Sequence, residues 1–141
     1  MGAIVGLGQA GCNIAKLYSQ YPQYEVFYID SEAREEENFL KITKQDSHEL
    51  YDTKTRLKKS FFDKIKGPVV FVLGGSGDVS GACLRILEKM KNLDLYVLYV
   101  KPDTELLSEV KKKQEKVVFH ILQQYARSGL LKRMFIVSNP S

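Results

Sequence analysis

The sequence predicts a three-layer α/β domain, a parallel sheet with helices on both faces. Three observations lead there. Short apolar runs alternate with stretches of helical spacing along the chain. One run, Pro68-Val69-Val70-Phe71-Val72-Leu73, is apolar throughout, as a strand covered by helices on both faces must be. Two glycine-rich segments, Gly6–Gly11 and Gly74–Gly81, each stand between such a strand and a helix. This alternation builds right-handed crossovers, and ligands then bind at the carboxyl ends of the strands.

The elements follow in order. Residues 2–7 form a short buried strand ended by glycines, and a helix from Gly11 to about Tyr21 places Ile14, Leu17 and Tyr18 on one face before Pro22 stops it. Glu25 to Asp30 is the second strand. The polar stretch after it, with Glu35-Glu36-Glu37, reads as a short solvated helix, the alternative being a mobile loop beside a ligand. A helix using Leu57, Phe61, Phe62 and Ile65 precedes Gly67-Pro68, and the central strand follows. Residues 74–81 lead into a helix carrying Leu84, Leu87 and Met90, and Leu95 to Val100 is the next strand. A long amphipathic helix starts near Asp103 or Thr104, with Leu107, Val110, Val117, Ile121 and Tyr125 as its apolar row and Gly129 as its end. Met134 to Val137 is the last strand.

Composition narrows the class. The chain has 141 residues, 44% hydrophobic and 27% charged, enough for one domain with its own core. Two cysteines, Cys12 and Cys83, make no disulfide framework, and no His/Cys cluster has zinc-ligand spacing. The opening apolar stretch ends too soon for a secretory leader, and no run approaches the roughly 20 residues of a membrane span. A cytoplasmic protein is expected, with no membrane partner. The net charge of +4 does not imply nucleic acid, because lysines alternate with acids, as in Lys111-Lys112-Lys113-Gln114-Glu115-Lys116, and no stacking aromatic accompanies them.

Gly6-Leu7-Gly8-Gln9-Ala10-Gly11 is a G-x-G-x-x-G between strand and helix. It supplies a tight turn, close backbone approach to a phosphate, and a helix N-terminus with free N–H groups. A Rossmann-like dinucleotide site shares this motif, and Asp30 stands about 20 residues on, where such a site places its ribose acid. A NAD-binding domain needs no second glycine cradle, however. Gly74-Gly75-Ser76-Gly77-Asp78-Val79-Ser80-Gly81 provides one, and a nucleoside di- or triphosphate can be enclosed from two sides. Neither segment matches G-x-x-x-x-G-K-[S/T], which disfavours a P-loop NTPase.

In these segments and their order the sequence resembles the tubulin/FtsZ family of GTP-binding filament proteins. Gly8-Gln9-Ala10-Gly11 is similar to the tubulin form of the first phosphate loop. Asp30-Ser31-Glu32 is similar to its acidic second loop, and Gly75–Gly81 stands where the family has G-G-G-T-G-[T/S]-G. Lys101-Pro102 resembles the lysine-proline before the ribose-contacting loop, and Ile136-Val137-Ser138-Asn139 the last strand of the nucleotide-binding domain. The likeness runs from Gly2 to Asn139.

The resemblance implies GTP or GDP as ligand, with Mg²⁺. It implies that Gly8, Gln9, Gly11 and Cys12 line the α- and β-phosphates, with Ala10 and Asn13 in the same loop. Gly75, Ser76, Gly77 and Ser80 would hold the β- and γ-phosphates, with Asp78, Val79 and Gly81 completing that loop. Glu32, and Asp30 through water, would assist the metal. Pro102 and Glu105 fall on the ribose side, and Asn13 and Asn139 offer guanine both a donor and an acceptor. For Cys12 a small side chain packed under the loop is an equal alternative. Cys83, His48 and His120 read as structural or surface residues.

Three departures qualify the likeness. Asp78 and Val79 replace a threonine and a glycine of the signature: an anion there repels phosphate unless screened, and valine resists a left-handed backbone. Glu105 lies near the expected ribose contact, but no arginine follows. The family's central helix and second domain, which supply the water-activating acid to the neighbouring subunit, have no counterpart in these residues. Binding without appreciable turnover is therefore expected of this chain alone, with filament assembly and hydrolysis belonging to the full-length protein. The alternatives are a NAD(P)-binding oxidoreductase domain and an interaction module without nucleotide.

Overall fold

A computed structural model describes residues 2–138 of the chain. Six strands, β1 (Gly2–Leu7), β2 (Tyr24–Asp30), β3 (Phe39–Lys41), β4 (Val69–Gly74), β5 (Leu95–Lys101) and β6 (Arg133–Ser138), form one sheet in the order β3-β2-β1-β4-β5-β6. Every neighbouring pair is parallel. This is a doubly wound, Rossmann-like α/β arrangement, and the strand order reverses between β1 and β4, where a ligand crevice opens in such sheets.

Five helices connect the strands: α1 (Gly8–Leu17), α2 (His48–Lys54), α3 (Lys59–Asp63), α4 (Cys83–Met90) and α5 (Glu109–Arg127). The two layers are unequal. Strand residues Val5, Phe27, Ile29, Phe71, Leu73, Val97 and Tyr99 pack with α2 to α5 in the main core. On the opposite face Ile4, Val26, Tyr28 and Val72 meet Cys12 and Ala15, which come from α1 alone. Burial of Val69, Phe71, Val72 and Leu73, with Val70 partly buried, explains why β4 lacks alternation. The edge strand β6 leaves Phe135, Ile136 and Val137 exposed.

Several local expectations need correction. Residues 31–38 are not helical; Asp30 accepts the amides of Ser31 and Glu32 and so turns the chain out of β2. The short strand β3 follows, too brief to show a period. The helix expected before Gly67 is two helices: Ser47 caps α2 by accepting the Leu50 amide, and Leu57 and Ile65 flank α3 rather than sit in it. In α5 the buried row is Gln114, Glu115, Val118, Leu122 and Tyr125, while Val110 and Val117 are exposed. Two polar residues occupy the inward stripe, of which Glu115 accepts a 2.7 Å hydrogen bond from the buried Tyr99 hydroxyl, so an apolar-only reading selects the adjacent row. The helix begins at Glu109, capped by Ser108, while Thr104–Leu106 form only a single 3₁₀ turn. Gly129 ends it with φ +82°.

Candidate functional site

The two glycine-rich loops converge on one cavity of about 360 Å³ at the carboxyl ends of β1 and β4. From the first loop it is lined by Leu7, Gly8, Gln9, Ala10 and Asn13; from the second by Gly74, Ser76, Gly77, Val79 and Ser80. The N-terminus of α1 opens onto it. No side chain caps that end and no acid lies in its first turn, so its amides and the positive end of its dipole are left to an anion.

The remaining motif glycines shape the loops from behind. Gly8 turns the chain with φ +72°. Gly11 faces β4: a methyl group there would overlap the Val72 carbonyl oxygen and lie 3.1 Å from its carbon. Gly75 backs onto the Tyr99 ring, and Gly81 onto the His48 carbonyl of α2. Cys12 is fully buried, its Sγ 3.5 Å from the carbonyl oxygens of Gly6 and Ile29. It lies under the loop rather than on the cavity wall, and burial pushes its thiol up to about 12. The Cys12 side chain thus has the packed arrangement, one of its two readings.

Asp78 and Val79 agree with the departures read from the sequence. Neither has a left-handed backbone; Asp78–Ala82 form a right-handed 3₁₀ turn, and Asn38 is the one non-glycine with positive φ among the described residues. The Asp78 carboxylate is turned out of the cavity and pairs with Lys111 of α5 at 2.9 Å. That hydrogen bond holds the Asp78 carboxyl below its ordinary range. The Asp78 charge is thus paired within the fold. Val79 lies over Gly8, where a side chain on Gly8 would meet its Cγ1 at 2.7 Å. Ser80 is buried and donates to the Gly77 carbonyl at 2.6 Å, bracing the loop.

The two acids after β2 are each engaged by neighbouring groups. Asp30 is buried; its Oδ1 accepts the Ser31 and Glu32 amides, and its Oδ2 lies 3.8 Å from Arg34. Glu32 is exposed and pairs with Lys44 at 3.5 Å. Among the described residues no group of three or more His, Cys, Asp or Glu side chains could hold a metal ion. Pro102 is half-buried outside the cavity, and Glu105 lies with Lys101 on a separate, larger cavity of about 890 Å³ along α5. Asn139 falls outside the described residues.

Sequence reasoning did not single out Arg34, placed Lys111 and Gln114 in a run of alternating charge, and read His48 as a structural or surface residue. Arg34 pairs with Glu36 at 3.1 Å and donates to the Asn13 Oδ1 at 3.4 Å, tying the loop after β2 to the first glycine loop. A lone cation in the acidic run Ser31–Glu37 was its only signal. His48 is buried with its Nε2 unpartnered, and burial lowers its pKa. Nothing local marks Lys111 as the partner of a residue 33 positions earlier.

Compared with known proteins, the chain matches no protein-family model and no curated protein sequence. No described helix is long and apolar enough to cross a membrane.

Proposed function

We propose that this chain is a guanine-nucleotide-binding domain of a tubulin/FtsZ-like filament protein. The observation that carries the reading is the single cavity at the β1/β4 switch point, lined by both glycine loops and by the uncapped N-terminus of α1. In this reading the Gln9 and Ala10 amides take one phosphate, and the side of the cavity formed by Ser76 and Gly77 takes the neighbouring one. Asn13 presents its amide towards the nucleoside while Arg34 fixes its oxygen. The ligand is GTP or GDP. Glu32, released from Lys44, is the carboxylate exposed enough to serve Mg²⁺ carried in on the phosphates. Asp30 instead acts as a scaffold, because its oxygens are already engaged.

Those same engagements argue against the NAD(P) alternative. A ribose-binding acid at the end of β2 must accept from two hydroxyls, and Asp30 accepts from its own loop instead. An interaction module without nucleotide is favoured by one observation, Val79 against Gly8. Phosphoryl transfer needs a positioned water as well as charge stabilisation, and among the described residues the cavity lining carries no carboxylate or imidazole to orient one. The chain alone therefore binds without efficient hydrolysis. In this reading turnover and self-association are properties of the assembled filament, and the setting is the cytoplasm.

Calorimetric titration with GTP, GDP, ATP and NAD in Mg²⁺ tests the proposal. Guanine nucleotides should bind, and Asn13→Ala should weaken them. Binding of NAD without GTP or GDP would refute it, and binding of nothing would favour the interaction module.

A further inference from the structure

We propose that Val79 is the specificity-determining residue of this cavity: held over Gly8, it closes the space between the loops to a third phosphate and selects a nucleoside diphosphate over the triphosphate. The proposal rests on the nucleotide reading above and adds which phosphate chain fits. A phosphate gripped at once by the α1 amides and the second loop must lie between Gly8 and residues 74–80. Val79 stands there, its Cγ1 2.7 Å from where a Gly8 side chain would begin. The cavity left, about 360 Å³, is near the lower end for a small-molecule site.

The wedge is braced on three sides. The Asp78–Lys111 pair anchors the preceding residue to α5 at 2.9 Å. The Ser80 hydroxyl and amide both donate to the Gly77 carbonyl, at 2.6 and 3.1 Å. Gly81 lies directly on the His48 carbonyl of α2, so the turn cannot sink away from Gly8. A β-branched side chain has few rotamers with which to yield. Asp78 thus serves as the outward anchor that keeps Val79 in place, its negative charge spent on Lys111.

The test is calorimetric titration of the wild-type chain, Val79→Ala and Asp78→Asn with GDP and GTP, with thermal melts to establish that each variant is folded. Wild type should bind GDP about tenfold more tightly than GTP, the equivalent of a modest overpacking penalty. Val79→Ala should remove most of that difference by tightening GTP more than GDP. Asp78→Asn, which releases the anchor at nearly constant volume, should shift selectivity in the same direction by less, and it carries the test if Val79→Ala does not fold. Equal wild-type affinities, or unchanged GTP affinity in folded variants, would overturn the wedge while leaving the guanine-nucleotide reading intact. Absence of GDP and GTP binding in all three proteins would overturn both.

Discussion

Replacing Gly11 by alanine sets two effects of opposite sign against each other. Gly11 lies in α1, where alanine is preferred to glycine by about 1 kcal/mol, so propensity alone makes the variant more stable. Packing opposes this. The added methyl would overlap the Val72 carbonyl oxygen and sit 3.1 and 3.3 Å from the Val72 carbonyl carbon and the Leu73 Cα, all backbone atoms of a central strand. Neither partner can rotate away, so α1 must lift from the sheet and loosen Cys12 and Ala15 in the smaller core. Overpacking against a rigid neighbour costs about 3 kcal/mol, and the net effect is a loss of roughly 2 kcal/mol. Urea unfolding followed by far-UV circular dichroism reads this directly, and the melting temperature should fall by roughly 6–8 °C. Gly77→Ala is the internal control: no atom stands within 4 Å of the new methyl and φ is −75°, so it should gain about 0.5 kcal/mol through the unfolded state. Should Gly11→Ala prove as stable as wild type, the close approach of α1 to β4 is not what fixes glycine there.

Other perturbations test the rest of the fold. Tyr99→Phe deletes the donor to buried Glu115 and should cost about 2–3 kcal/mol in urea unfolding at neutral pH. Alkaline pH should destabilise the chain early. Burial pushes both Cys12 and Cys83 up to about 12, so the unfolded chain releases these protons first and stability falls as pH rises from 9 towards 12. The two thiols account for about 3 kcal/mol between pH 8 and pH 10, and a Cys12→Ala/Cys83→Ala variant should lose correspondingly less over that interval. Arg34→Met removes the partner of Glu36 and the cation beside Asp30, and should cost about 2 kcal/mol with a visible loss of order around Asn13 in amide exchange.

Most of the sheet was legible because its strands are signalled locally. A continuous apolar run marked β4, and glycines or an acid closed β1 and β2. What escaped depended on contacts far apart in the chain. Strand β3 exists because Phe39–Lys41 pair with Tyr28–Asp30, a partnership that three residues cannot announce. The inward row of α5 was missed because Glu115 is buried by a tyrosine on β5. The site behaved likewise. Both loops and most of their cavity-lining residues were readable from motif and position. The fate of Asp78 was not, because it is decided by Lys111 on a helix that sequence presents as a solvated charge pattern. For Cys12 the sequence left packing and ligand contact equal, because the carbonyls of Gly6 and Ile29 that its Sγ meets are brought together only by the fold.

Glycine richness alone argues little for a ligand in this chain, because Gly11, Gly75 and Gly81 are each required by a neighbouring backbone or ring whether or not anything binds. Gly77 is different. The fold makes no demand on it: its φ is one any residue adopts, no atom crowds its side-chain position, and it is exposed on the cavity wall. A residue that stability leaves free to be larger is where function must show its own requirement. Gly77→Ala should therefore separate the two. If a phosphate approaches this backbone closely, the variant melts no lower than wild type yet binds GDP roughly tenfold more weakly, since a methyl group holds the anion away from the loop amides. Unchanged GDP affinity in a stabilised Gly77→Ala would mean that the phosphates pass the second loop at a distance, and would leave the α1 N-terminus as the sole grip.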